Sequence, residues 1–113
     1  MAGNEEGVGD RAGDGATARH WLVSGRVQGV GYRWWLRERA RAAGLRGWVR
    51  NLAAGRVEAV VAGSPDAVER LAAEARRGPA AARVDGLESA DWAGQVGTGG
   101  FEQADTAARP AEP

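Results

Sequence analysis

The sequence predicts an α+β fold in which an antiparallel β-sheet carries two helices on one face. Three observations predict it. Strand-like and helix-like segments alternate in the order β-α-β-β-α-β, both helix-like segments end at glycine, and a tight turn joins the two middle strands. The chain has 113 residues, which is the size of one small domain.

Both ends of the chain are poor in side chains that build a core. In residues 1–18, Val8 is the only bulky aliphatic residue. Ordering a residue costs about 1–2 kcal/mol, so this composition predicts a disordered N-terminal tail. The segment also lacks the basic start and apolar core of an export signal. Residues 107–113 predict a second disordered tail, which leaves 19–106 as the folded domain.

The first half of the domain predicts a strand, a helix and a second strand. Residues 21–24 form a short apolar run that ends at Gly25. A helix follows, with Gly44 placed where glycine commonly ends one. Residues 47–51 then predict the second strand. The helix is indicated by side chains at helical spacing: Tyr32, Leu36, Ala40 and Ala43.

The second half predicts a hairpin, a helix and the last strands. A turn at residues 53–55 leads into a strand of alternating apolar residues over 57–61. Ser64 is a typical N-cap, followed by a proline at the first helical position and an early acid. Residues 84–92 indicate an irregular fourth strand or edge, and residues 101–106 a short fifth.

This order of elements is that of the ferredoxin-like split β-α-β sandwich. Right-handed crossovers leave few other ways to connect the same elements. The fold hosts many functions, so it does not specify an activity. The apolar positions predict this core: Val23, Tyr32, Leu36, Val49, Val57, Val61, Val68, Leu71 and Phe101.

Composition excludes several kinds of chemistry. The chain has no cysteine, and its 15 basic residues are all arginine. Disulfides, thiolate metal sites, cysteine nucleophiles and catalytic lysines are therefore excluded. Zero net charge argues against a surface that binds a polyanion throughout, but residues 26–56 contain eight arginines and one acid, Glu38. No apolar run reaches the roughly 18–20 residues of a membrane span. The absence of cysteine and of an export signal favours a cytoplasmic protein.

The segment over residues 25–33 (Gly-Arg-Val-Gln-Gly-Val-Gly-Tyr-Arg) carries the strongest functional signal. Its three glycines lie between a predicted strand and a predicted helix. Glycine permits the backbone to turn consecutive N–H groups inward, and the helix N-terminus adds further N–H groups. Arg33 can place a guanidinium fork at the same point. The loop therefore predicts a phosphate-sized anion site, although a purely structural strand–helix loop remains the alternative.

Two motifs resemble the signatures of the acylphosphatase family. Residues 25–33 resemble its G-R-V-Q-G-V-x-[FY]-R signature, and residues 47–51 (Gly-Trp-Val-Arg-Asn) its second signature at the expected distance. The resemblance extends from about Trp21 to Phe101. The strict nucleotide-binding signatures are absent from the chain.

The resemblance implies hydrolysis of a carboxyl-phosphate bond to a carboxylate and inorganic phosphate. By motif position, Arg33 corresponds to the phosphate-binding arginine and Asn51 to the asparagine that positions the attacking water. The backbone cradle would come from Gln28, Gly29, Val30, Gly31 and Tyr32.

Neither motif contains a histidine, aspartate or glutamate that could serve as a general base. The hypothesis that follows is that the phosphoryl group of the substrate itself accepts the proton of the water. No metal or cofactor is then required. We expect a monomer acting on a small-molecule acyl phosphate, with no nucleic acid or membrane partner.

A second hypothesis comes from a different class of protein. A non-catalytic ferredoxin-like module could bind RNA or another polyanion through the arginine-rich segment. Trp34 and Trp35 are adjacent on the predicted helix, so one is expected on the core and the other on the surface. His20, the only histidine, is expected to be solvated or structural. A binding module has no need of both Arg33 and Asn51, so the sequence favours the enzyme.

Overall fold

Strands and helices follow one another in the predicted order. The computed structural model describes residues 16–113. The predicted N-terminal tail therefore lies outside the described residues as far as residue 15, and residues 17 and 18 already belong to the first strand. The elements are β1 (Thr17–Arg26), α1 (Tyr32–Ala42), β2 (Arg46–Asn51), β3 (Val57–Gly63), α2 (Pro65–Arg77), β4 (Arg83–Asp91) and β5 (Phe101–Gln103).

The five strands form one sheet in the order β4-β1-β3-β2-β5. The first four pair antiparallel, as predicted, but β5 runs parallel to β2, with Phe101 beside Gly47. The prediction of a fully antiparallel sheet is therefore corrected to a mixed sheet. Strand β4 ends at the end of the sheet where β2 begins. A connection that starts there and returns at the far edge must lead β5 in the same direction as β2.

Both helices cover the same face of the sheet and share one core. All nine predicted core residues are buried in that single cluster, which confirms the predicted apolar face. The strands contribute alternate residues, such as Trp21 and Val23 from β1. Helix α2 starts as predicted, since the Ser64 hydroxyl accepts a hydrogen bond from the N–H of Ala67 at 3.2 Å.

Gly47 shows why the second motif begins with glycine. Its φ is +137°, and a β-carbon there would collide with the carbonyl oxygen of Val60 on the neighbouring strand. Any other residue would push β2 and β3 apart. The close approach of β2 and β3 therefore requires glycine at this position.

The C-terminal residues differ from the predicted disordered tail. The N–H of Ala107 donates to the carbonyl of Asn51 at 3.1 Å, and the N–H of Ala53 donates to the carbonyl of Ala107 at 2.9 Å. Further along, the N–H of Ala111 donates to the carboxylate of Glu58 at 2.7 Å. These anchors are backbone groups, so the apolar content of the segment gives no sign of them.

A buried carboxylate organises the face of the sheet opposite the helices. Glu58 is fully buried and accepts hydrogen bonds from His20 Nε2 at 2.6 Å and Arg50 Nε at 2.8 Å, besides Ala111. Burial by itself would raise the pKa of Glu58, but these hydrogen bonds outweigh it and hold the pKa below its usual value. His20 also stacks on Trp92 with ring centroids 5.4 Å apart, which gives it the structural role expected from the sequence.

Glu58→Gln is expected to destabilise the protein at neutral pH by about 1–3 kcal/mol, since hydrogen bonds to a charged group are weakened. Because the pKa of Glu58 is lower in the folded state than in the unfolded state, the carboxylate stabilises the fold at pH values above its unfolded-state pKa. This stabilisation is lost as the pH falls through the folded-state pKa. The difference between wild type and variant should therefore shrink as the pH is lowered from neutral into the acid range. Urea unfolding at several pH values measures this difference in the free energy of unfolding.

The control for this experiment is Glu88→Gln, which changes an exposed carboxylate on β4. Its free energy of unfolding should stay within about 0.5 kcal/mol of wild type at every pH. A wild-type-to-Glu58→Gln difference that is independent of pH would contradict the charged state assigned to Glu58.

Candidate active site

The loop between β1 and α1, residues 27–31, is held from beneath by its own side chains. Val27 is buried, and Val30 packs against the core. The side chain of Gln28 donates two hydrogen bonds of 2.8 Å, to the carbonyls of Leu52 and Arg56 on the β2–β3 hairpin. These three side chains therefore anchor the loop to the rest of the domain.

Two glycines of the loop adopt the left-handed conformation. Gly29 has φ +73° and Gly31 φ +81°, and Gly31 is the N-cap of α1. Nothing lies within 4 Å of where their β-carbons would be, so the dihedral angle and not crowding favours glycine. Gly25 is different, because its β-carbon would collide with the carbonyl of Arg83 on β4. It serves strand packing rather than the loop.

The backbone N–H groups of residues 28–34 have no acceptor within the part of the chain that the structure describes. Helix α1 has no side-chain cap and no acid in its first turn, whereas α2 has both, in Ser64 and Asp66. A row of unpaired N–H groups at an uncapped helix N-terminus attracts an anion. Anion binding by this loop stays a prediction, and the unpaired N–H groups support it.

A small pocket opens over this loop and measures about 100 Å³. Arg33, half-buried in the first turn of α1, lines it and forms no ion pair or hydrogen bond with another residue between 16 and 113. Of the predicted cradle residues, Gly29, Gly31 and Tyr32 line the pocket, while Gln28 and Val30 support the loop from behind.

Tyr32 contributes its backbone to the pocket but not its hydroxyl. That hydroxyl is buried and donates to the carbonyl of Ala75 on α2 at 2.8 Å. Burial raises the pKa of Tyr32 well above its usual value, so the phenol stays protonated. The side chain therefore locks α1 against α2 and fixes the start of the helix.

Asn51 is the last residue of β2, immediately before the Leu52 carbonyl that Gln28 binds. Its side-chain oxygen Oδ1 is buried and has no hydrogen-bond partner among the described residues. Unpaired buried acceptors are rare in folded proteins because each costs stability. The backbone carbonyl of Asn51 accepts a hydrogen bond from the N–H of Ala107 at 3.1 Å. Asn51 is not among the residues that line the pocket over the loop.

Three residues that line the pocket were not predicted from the sequence as part of the site: Val27, Trp34 and Gln103. Gln103 reaches it from β5, because that strand pairs with β2 and sets Gln103 beside Val49. Trp34 reaches it from the first turn of α1. The position of Trp34 next to Arg33 could have suggested it from the sequence. No local pattern predicts the pairing of β5 with β2 that places Gln103 at the pocket.

Within residues 16–113, no group of three histidine, aspartate or glutamate side chains lies close enough to hold a metal ion. Across the same residues, no helix has the length and apolar character needed to cross a membrane.

Fold and site together define a small α+β protein with an arginine and an unpaired backbone loop at a helix N-terminus. A model of the acylphosphatase family matches residues 19–103. The chain belongs to the acylphosphatase family.

Similar proteins agree with this assignment. An acylphosphatase of Thermococcus kodakarensis is 48% identical over 83 residues, covering 74% of this chain and 90% of its own length. One from Alcanivorax borkumensis is 55% identical over 69 residues, or 61% of this chain and 75% of its own length. The solved acylphosphatase of Coxiella burnetii superimposes with a TM-score of 0.75 at 33% identity, covering 80% of this chain and 94% of its own.

Proposed function

We propose that this protein hydrolyses the carboxyl-phosphate bond of acyl phosphates and releases a carboxylate and inorganic phosphate. Membership of the acylphosphatase family supports the reaction class. The observation that carries the proposal in this chain is the row of unpaired N–H groups at residues 28–34, beside a pocket that Arg33 lines.

The loop and Arg33 bind the phosphoryl group. Its three oxygens carry negative charge in the ground state and throughout transfer. Backbone N–H groups and a guanidinium fork satisfy that charge without rearranging during the reaction, which is the usual origin of large electrostatic rate effects. A carboxylate is a good leaving group, so positioning and charge stabilisation carry most of the catalytic burden.

Asn51 positions the water. Its unpaired Oδ1 accepts a hydrogen bond from the water, so that a lone pair of the water oxygen faces the phosphorus. The new P–O bond forms as the bond between phosphorus and the acyl oxygen breaks, and that oxygen leaves as carboxylate. The water proton passes to a phosphoryl oxygen. None of the residues lining the pocket is a histidine, aspartate or glutamate.

The direct test is hydrolysis of benzoyl phosphate by the purified protein without added cofactor. We expect release of benzoate and inorganic phosphate, with no essential enzyme base near neutrality in the pH–rate profile. Salt-sensitive RNA binding without hydrolysis would instead support the polyanion-binding module. We further propose that the protein acts as a cytoplasmic monomer, which sedimentation and cell fractionation measure.

Gln28→Ala is expected to lower kcat for benzoyl phosphate by about tenfold. The substitution removes both hydrogen bonds that tie the loop to the β2–β3 hairpin, and small displacements of a positioned group are costly in rate. Steady-state kinetics measures the change in kcat, and thermal unfolding measures separately the stability lost with the two hydrogen bonds. The control is Gln95→Ala, an exposed amide outside the pocket. Unchanged kinetics in Gln28→Ala would contradict the supporting role.

A further inference from the structure

Trp34 is an exposed indole at the rim of the pocket. Its side chain is 59% exposed, and it is the one large hydrophobic residue among residues 16–113 left open to this extent. One of the other tryptophans is buried in the core and three stack against a tyrosine, an arginine or a histidine: Trp21, Trp35, Trp48 and Trp92. Trp34 has no aromatic or cationic stacking partner within this part of the chain.

The pocket is large enough for only one part of an acyl phosphate, the phosphoryl group. The pocket volume of about 100 Å³ is far below the roughly 300–1,000 Å³ of pockets that enclose a drug-sized ligand. A pocket of this size suits the phosphoryl group of an acyl phosphate and leaves the acyl group to lie at its rim.

Charge assigns the two neighbouring side chains to different halves of the substrate. The guanidinium of Arg33 attracts the anionic phosphoryl group. The face of an indole carries partial negative charge and repels an anion, but it binds flat apolar groups by stacking and by excluding water. Both side chains line the same pocket from consecutive positions of α1.

We infer that Trp34 is a specificity-determining residue that stacks against the acyl group, so that this enzyme prefers acyl phosphates with a flat aromatic acyl group. The inference rests on the proposed function and names the substrate class of the same site. An acetyl group is too small to cover the indole and gains little from it. The contact is made equally in the ground state and the transition state, so it acts on KM.

The test compares benzoyl phosphate with acetyl phosphate in wild type, Trp34→Ala and Trp34→Phe. In Trp34→Ala, we expect KM for benzoyl phosphate to rise about tenfold, the factor that corresponds to about 1.4 kcal/mol, with kcat within about twofold of wild type. Both constants for acetyl phosphate, and inhibition by inorganic phosphate, should stay unchanged. Trp34→Phe should restore most of the affinity for benzoyl phosphate.

Glu38→Ala is the matched control, because it removes an exposed side chain one turn further along α1. It should leave the constants for both substrates unchanged. An equal change for both substrates in Trp34→Ala, or altered inhibition by phosphate, would overturn the inference while leaving the proposed function intact. A wild-type protein that hydrolyses neither substrate would overturn the proposed function itself.

Discussion

Arg33→Ala is expected to lower kcat/KM for benzoyl phosphate by at least about 100-fold, the loss typical of removing one preorganised donor to a developing negative charge. The guanidinium lines the pocket and is engaged by no other described residue, so its charge is available to the phosphoryl group. Inhibition by inorganic phosphate should weaken as well, because the same contact holds the product. Arg33→Lys keeps the charge but loses the planar guanidinium fork, so its kcat/KM should lie between those of wild type and Arg33→Ala.

Arg37→Ala is the matched control for Arg33. Arg37 lies one turn further along α1 and pairs with Glu38 at 3.0 Å. Its loss should leave the kinetics within about twofold and stability within about 0.5 kcal/mol, since exposed ion pairs contribute little. Arg33→Ala should unfold like wild type, because the side chain holds nothing else in place. If Arg33→Ala and Arg37→Ala were both as active as wild type, the assignment of Arg33 to the active site would be wrong.

Asn51→Ala is expected to lower kcat for benzoyl phosphate by at least about 100-fold. Without the amide oxygen, the attacking water loses its acceptor and its alignment with phosphorus. KM and inhibition by inorganic phosphate should change little, since the loop and Arg33 still hold the phosphoryl group. This separation of kcat from phosphate binding distinguishes Asn51 from Arg33. Steady-state kinetics with product inhibition measures both.

Stability gives an independent reading of the same variant. Because Asn51 Oδ1 is buried without a partner, removing it eliminates an unsatisfied acceptor and no hydrogen bond of that atom. The free energy of unfolding should therefore stay within about 1 kcal/mol of wild type or rise, as happens when a group is retained for activity at the expense of stability. A large loss of stability together with weakened phosphate inhibition would assign Asn51 a structural role.

Local sequence signals predicted the helices and central strands because their causes are local. The Ser64 cap, the glycine after α1 and the apolar alternation of β3 each depend on neighbours along the chain. All nine predicted core residues are buried for the same reason, since periodicity fixes which face of an element is apolar.

The candidate site could be predicted only in part. The glycines and Arg33 are close in sequence, so the loop could be recognised there. That Gln28 turns away to hold the hairpin depends on carbonyls more than twenty residues later. Of the two adjacent tryptophans, the sequence predicts that one faces the core but not which. In the structure, Trp35 packs against the core and Trp34 lies exposed at the rim of the pocket.

The sequence by itself determined the order of elements, the apolar core and the two motifs, because each is written in the spacing of nearby residues. Only the tertiary structure decided that β5 runs parallel to β2 and that the C-terminal segment pairs with Asn51 and Glu58. Strand β5 has three residues, too few for a periodic pattern, and the C-terminal contacts are made by backbone groups that every residue carries. Such contacts depend on which edges and acceptors the completed sheet leaves open.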